Sequence, residues 1–288
     1  MATDKRASGS KDERMKARPI GLFDSGVGGL SVLREIIHLL PYEDTAYFAD
    51  SAHCPYGGRS REEVDGFSQA ITRFLIGVGA KIIVVACNTA SAAALRSLRS
   101  VFPDMPFIGM VPAVKPAVAL THSKKVGVLA TPATLGGDLF ADVVSRFASD
   151  VEVITQICPG LVAQIEAGDL EGNQTMALLE GYLAPLRRVG VDTLVLGCTH
   201  YPFLTPLIRR IVGDSVTIVD PSPAIARQTK RVLAQRSMLK TDGLPGSRGY
   251  YTSGEVSSLT QAVEHLVGDA DQITRVRWSN HGETIVPQ

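Results

Sequence analysis

The sequence predicts two similar α/β halves, each an open parallel sheet, in a chain of 288 residues. Three observations carry this. From Pro19 onward, apolar runs of strand length alternate with segments of helical periodicity, the pattern of an open parallel sheet. Two of the runs, Ile82-Ile83-Val84-Val85-Ala86 and Thr193-Leu194-Val195-Leu196-Gly197, have the continuous apolar character of strands buried on both faces, and each delivers a cysteine, Cys87 and Cys198. The spacing also repeats. Thr131 follows Asp24 by 107 residues and Cys198 follows Cys87 by 111, an offset that holds at both ends of a long segment.

In chain order, residues 20–23 form a short apolar run, 24–29 a turn-rich loop, and 30–40 a helix stopped by Pro41. A strand at 45–49 follows, then a long loop through Gly58, a helix over 61–78 ended by Gly79, and the strand before Cys87. The second half restarts the pattern at 125–130. After Asp220-Pro221 the periodicity predicts a helix over 222–236, a Gly- and Ser-containing loop over 241–247, and strands at 249–252 and 273–278 flanking a helix over 255–267. The second half already has its own strands, so this tail is assigned to the first. The expected division is a disordered arm over 1–18, a first domain over 19–110 plus 226–288, and a second over 111–225.

Composition narrows the function classes. Hydrophobic residues make up 45% of the chain and the formal net charge is zero. The first eighteen residues hold six basic side chains against three acidic ones, which leaves the body at −3, a poor match to a nucleic-acid partner. No stretch approaches the roughly 20 apolar residues of a membrane span, and the leading segment lacks the apolar stretch of a signal peptide. A cytoplasmic protein is expected, with its four cysteines reduced.

The two cysteines stand in near-duplicate settings, each followed at once by polar groups, Asn88-Thr89 and Thr199-His200. A lone cysteine after an apolar strand is more often core than catalyst, and the matched pair reverses that reading. Two thiols from equivalent halves suit chemistry on both faces of one small molecule: proton transfer into and out of a single carbon, with inversion. A free thiol ionises near about 8.5, so one of the pair is readily charged while the other keeps its proton. Cys54 and Cys158 lack such a setting and are assigned to structure.

The loop Gly26-Val27-Gly28-Gly29-Leu30-Ser31 nearly matches a dinucleotide fingerprint, and Asp50 stands 24 residues after Gly26. Ser31 occupies the third glycine position, and Asp24 would face a pyrophosphate and repel it. The loop is therefore expected to make a tight turn into its helix and to offer N–H groups to a smaller anion, such as a substrate carboxylate. Lysines are sparse near the strand ends, which argues against a pyridoxal cofactor. Cys198-x-His200 offers two metal ligands where zinc sites use three or four, so no metal is expected.

Together these blocks resemble a known family. Residues 21–30, Asp50 through Pro55-Tyr56-Gly57, Ala86-Cys87-Asn88-Thr89-Ala90, Gly197-Cys198-Thr199-His200-Tyr201-Pro202 and Val219-Asp220-Pro221 are similar to the aspartate/glutamate racemases, and within them to the glutamate racemases. The resemblance implies two Rossmann- or flavodoxin-like domains facing across an active-site cleft. It implies a cofactor-independent, two-base interconversion of L- and D-glutamate that supplies peptidoglycan, by a homodimer. Carried over, Cys87 acts on D-glutamate with help from Asp24, and Cys198 acts on L-glutamate with help from His200. Glu166 matches an acidic position near the second thiol. Asp24, Ser25, Tyr56, Gly57, Asn88, Thr89, Thr134, Thr199 and His200 would hold the substrate.

Three alternatives stand beside this expectation. A racemase for aspartate or another small amino acid on the same fold would differ in side-by-side turnover. A Cys-His hydrolase predicts a covalent acyl intermediate and indifference to loss of one thiol. An amino-acid-binding partner protein predicts binding without loss of the α-hydrogen.

Overall fold

Parallel strands buried on both faces organise the chain into two sheets. A computed structural model describes residues 11–268, 270, 272–279 and 284–287. The first run of elements is α1 (Lys11–Lys16), β1 (Ile20–Asp24), α2 (Leu30–Leu39), β2 (Thr45–Ala49), α3 (Arg61–Val78), β3 (Ile82–Val85), α4 (Asn88–Val101) and β4 (Phe107–Ile108). Next come α5 (Val114–Leu120), β5 (Lys125–Ala130), α6 (Pro132–Leu135), α7 (Asp138–Phe147), β6 (Glu152–Ile157), α8 (Leu161–Glu166), α9 (Asn173–Arg188), β7 (Thr193–Gly197), α10 (Thr205–Val212) and β8 (Thr217–Val219). The chain closes with α11 (Ser222–Gln235), β9 (Arg248–Thr252), α12 (Val256–Leu266), β10 (Gln272–Ser279) and β11 (Thr284–Pro287).

One sheet runs β11-β10-β9-β2-β1-β3-β4 and the other β6-β5-β7-β8. Every pairing is parallel except β10 with β11. The order β2-β1-β3-β4 recurs as β6-β5-β7-β8, so β1 corresponds to β5 and β3 to β7. That correspondence is the physical source of the repeated spacing. The tail strands extend the first sheet, with β9 beside β2.

Apolar clusters fill both faces of each sheet. Ile20, Leu22 and Tyr47 pack toward α2, α11 and α12, while Phe23, Phe48 and Val85 pack toward α3 and α4. Val126, Val128 and Val195 pack with Val114, Ala117 and Phe140 on the outer face of the second sheet. Helix limits follow local chemistry. Ser60 and Glu63 make a capping box at the start of α3, and Gly79 ends it in the left-handed region at φ 104°.

Two expectations change. Of the arm expected to be disordered, residues 1–10 lie outside the described residues, but Lys11–Lys16 form a helix tied to the body. Lys81 Nζ donates to Lys16 O at 2.7 Å and Arg18 Nε to Gly79 O at 2.6 Å, bonds whose partners lie too far along the chain for local composition to reveal. The boundary expected between 225 and 226 falls inside α11, which packs along α2 of the first sheet. Among the described residues, no helix is long and apolar enough to cross a membrane.

Candidate active site

In an open parallel sheet the loops diverge where the strand order reverses, leaving a crevice at the carboxyl ends of the strands. In the first sheet that place lies between β1 and β3, whose ends carry Asp24 and Cys87. In the second it lies between β5 and β7, which lead into Thr131 and Cys198. Loops from both sheets enclose one cavity of about 20 Å³, lined by Cys87, Asn88 and Thr89 on one side and Thr131, Cys198, Thr199 and His200 on the other. Ser25, Pro55, Tyr56, Gly57 and Val162 complete the wall. This volume holds about one water, since a water needs roughly 10–15 Å³.

Cys87 is the N-cap of α4, and its sulfur accepts the Ala90 N–H at 3.4 Å. A helix N-terminus favours the thiolate, but burial pushes this thiol well above its ordinary value, and the neighbouring Asp24 charge adds to the rise. Asp24 is itself raised by burial, with His200 pulling the other way. Its carboxylate accepts the Gly29 N–H at 3.0 Å and the Thr199 hydroxyl at 3.4 Å.

The second thiol has a relay behind it. Cys198 Sγ lies 3.7 Å from His200 Nδ1, and His200 Nε2 lies 2.5 Å from Glu166 Oε1, which also accepts the Val27 N–H at 2.8 Å. Burial alone would lower the imidazole. Hydrogen bonds to Cys198, Cys54 and Glu166 outweigh it and raise His200 well above its ordinary value. Burial alone would raise Glu166, and the bond to His200 instead lowers it. The two directions agree, and they describe an imidazolium–carboxylate pair.

The glycine loop serves the second half of the molecule. A Cβ on Gly28 would strike His200 and Thr199, and one on Gly26 would strike the Glu166 carboxylate, so these glycines let the two loops touch. The expectation that the loop offers its N–H groups to a substrate anion changes accordingly. Gly29 and Gly26 donate to Asp24 and Val27 donates to Glu166, so these three donors are already taken up. Ser31, in the place of the third glycine, donates to Gly28 O and Thr199 O.

Of the residues singled out from sequence, Ser25, Tyr56, Gly57, Cys87, Asn88, Thr89, Cys198, Thr199 and His200 line the cavity, while Asp24 and Glu166 stand one bond behind it. Thr134 does not line it. Thr131 does, bridging Thr89 Oγ1 at 3.0 Å and Thr134 Oγ1 at 2.9 Å. Both polar atoms of the Asn88 amide are buried without a partner and so are free to bind a guest.

Two residues named from the sequence, Asp50 and Cys54, take parts that were not assigned to them. Asp50, fully buried, accepts from Tyr56 Oη at 2.6 Å, Trp278 Nε1 at 2.8 Å, Ser253 Oγ at 2.8 Å and His53 Nδ1 at 3.0 Å, which anchors the Tyr56–Gly57 turn to the tail strands. Cys54, assigned to structure, instead lies among Glu166 and His200.

The sequence profile of the Asp/Glu/hydantoin racemase family matches residues 20–229. The chain belongs to that family. It is an enzyme, an amino-acid racemase. A glutamate racemase of Roseiflexus sp. (strain RS-1) is 52% identical over 258 residues, covering 89% of this chain and 95% of the relative. The crystal structure of a glutamate racemase from Bacillus anthracis superposes with a TM-score of 0.82 at 35% identity, covering 90% of this chain and 97% of that one. A glutamate racemase from Francisella tularensis in complex with D-glutamate gives 0.79 at 30% identity, with the same coverage. Family membership accords with the doubled sheet order and with a site built from both halves.

Proposed function

We propose that this racemase interconverts L- and D-glutamate by a two-base mechanism that needs no cofactor, and that it supplies D-glutamate for peptidoglycan from the cytoplasm as a homodimer. The observation that carries the mechanism is the pair of cysteines, one from each sheet, on the wall of a single cavity. The similarity to glutamate racemases, one of them holding D-glutamate, supports the substrate.

In the L-to-D direction Cys198 is a thiolate and Cys87 a thiol. Cys198 takes the α-proton from one face of the carbon while Cys87 delivers its own to the opposite face, leaving Cys87 ionised and Cys198 protonated. The reverse reaction restores the starting state. The imidazolium of His200 beside Cys198 stabilises that thiolate, Glu166 holds the imidazolium, and Asp24 assists at Cys87. The α-carbanion is costly, and fixed donors in a water-poor cavity are what lower its energy. Asn88, Thr89, Thr199, Ser25 and the Tyr56–Gly57 turn are the groups placed to hold the carboxylates and ammonium, with Thr131 joining them.

Circular dichroism of L-glutamate and L-aspartate, side by side, tests the assignment. Glutamate should lose its optical activity, and aspartate should turn over about 10–200-fold less efficiently, the range that one methylene commands. Faster turnover of aspartate would reject glutamate as the substrate.

A further inference from the structure

Cys54, Glu166 and His200 form the one group of three His, Cys, Asp or Glu residues, among those described, whose donor atoms stand close enough to share a metal ion, all within 4.8 Å of one another. We propose that these three residues form a binding site for a thiophilic divalent cation, zinc in type, and that occupancy of the site inhibits the enzyme.

The donor set is a thiolate, an imidazole nitrogen and a carboxylate oxygen, the three ligand types zinc prefers. Tetrahedral zinc keeps its donor atoms roughly 3.3–3.8 Å apart, given bonds of about 2.0–2.3 Å, so the side chains need only small rotations to close on an ion. The ligand nitrogen is His200 Nε2, because Nδ1 faces Cys198. The cation takes the place of the proton now shared between His200 and Glu166. The Cys54 and His200 protons leave to solvent, and the fourth position stays open to water.

The surroundings favour a cation. Asp24 and Glu166 are close enough to sense each other's charge, and Asp24 lies one hydrogen bond from Thr199, the residue before His200. A cavity of about 310 Å³ lined by Val27, Ile165, Phe203, Gln261 and His265 also reaches Glu166. The Cys198-x-His200 pair that sequence spacing suggests as ligands is not this trio, because Cys198 addresses the other ring nitrogen. Two ligands of one zinc stand at least about 3.3 Å apart, so the 2.5 Å gap between His200 Nε2 and Glu166 Oε1 must widen, which shifts the ring against Cys198 and disturbs proton transfer at that thiol.

The inhibition depends on the racemase reading, whereas binding does not, so the test has two arms. Cobalt(II) added to the reduced, chelator-treated protein should produce a thiolate-to-cobalt charge-transfer band that zinc displaces. The band should vanish in Cys54→Ser and Cys54→Ala and persist in Cys158→Ser. In the activity arm, zinc should inhibit racemisation reversibly by chelator, and each Cys54 variant, compared with its own zinc-free rate, should need at least about 10–100-fold more zinc. A band and a zinc response unchanged in both Cys54 variants would place the metal on Cys87 or Cys198 and overturn the proposal, as would no band in the unmodified protein at millimolar cobalt. A Cys54-dependent band in a protein that does not racemise glutamate would leave the site standing and reject the function.

Discussion

Among single residues, His200 and Glu166 form a buried pair beside Cys198. Glu166 is lowered from its ordinary 4.5, so its contribution to stability is present above that pH and fades as pH falls through the lower folded value. His200 is raised from 6.5, so its contribution is present below that pH and fades as pH rises through the higher folded value. Both contributions stand near about pH 6. There, Glu166→Gln should cost roughly 3 kcal/mol in urea denaturation, because it leaves a buried imidazolium without its counter-charge. The penalty should shrink in acid, as the native carboxylate also takes up a proton. A penalty independent of pH would mean that the pair is not ionic. Cys87, Cys198 and His200 were legible because each sits in a short contiguous block. Cys54 was not, because its partners Glu166 and His200 lie 112 and 146 residues further along the chain and only folding joins them.

Elements decide which residues the loops present. The Tyr56–Gly57 turn reaches the cavity because Asp50, at the end of β2, accepts Tyr56 from one side and Trp278 of β10 from the other. Asp50→Asn keeps the shape but replaces one acceptor oxygen with a donor, so at least one of these bonds is lost. Each bond to a charged group contributes about 1.5–3 kcal/mol, and a turn displaced by about 1 Å costs up to about 10²-fold in rate. Stopped assays should show KM rising more than kcat falls. An unchanged KM would show that the turn is held by other means. Most elements named from periodicity form within a residue or two of expectation, since strands buried on both faces and capped helices carry local signals. Thr131 was marked by the repeat, as the counterpart of Asp24, yet the resemblance pointed to Thr134. The distinction needs the α6 N-cap, where Thr131 accepts the Thr134 N–H and turns toward the cavity. The pairing of β11 with β10 had no signal in the residues singled out.

For the whole molecule, two copies of one sheet order share one apolar cluster that includes Leu22 and Tyr47 of the first and Leu129 and Leu196 of the second, and polar contacts join them around the site. Val27 N–H to Glu166, Thr199 to Asp24, Ser31 to Thr199 O and Thr89 to Thr131 join the halves across the site. The cavity holds about one water, so its walls must move to admit an amino acid. Hydrogen exchange should therefore find the Val27 amide opening more readily than amides of β1, and slowing when D-glutamate bridges the halves. Equal exchange with and without ligand would argue for a rigid site. The duplication was legible as an offset between motifs. The closure was not, because it arises from glycines on one half making room for His200 and Glu166 on the other.

The central claim is that two thiols act on opposite faces of one carbon. The most direct test follows the α-hydrogen of L- and D-glutamate in D₂O with the unmodified protein, Cys87→Ala and Cys198→Ala. The account predicts inversion with solvent deuterium incorporation in the unmodified protein, and a loss of inversion of about 10²–10⁴-fold in each variant. Inversion that survives the loss of either cysteine would contradict it.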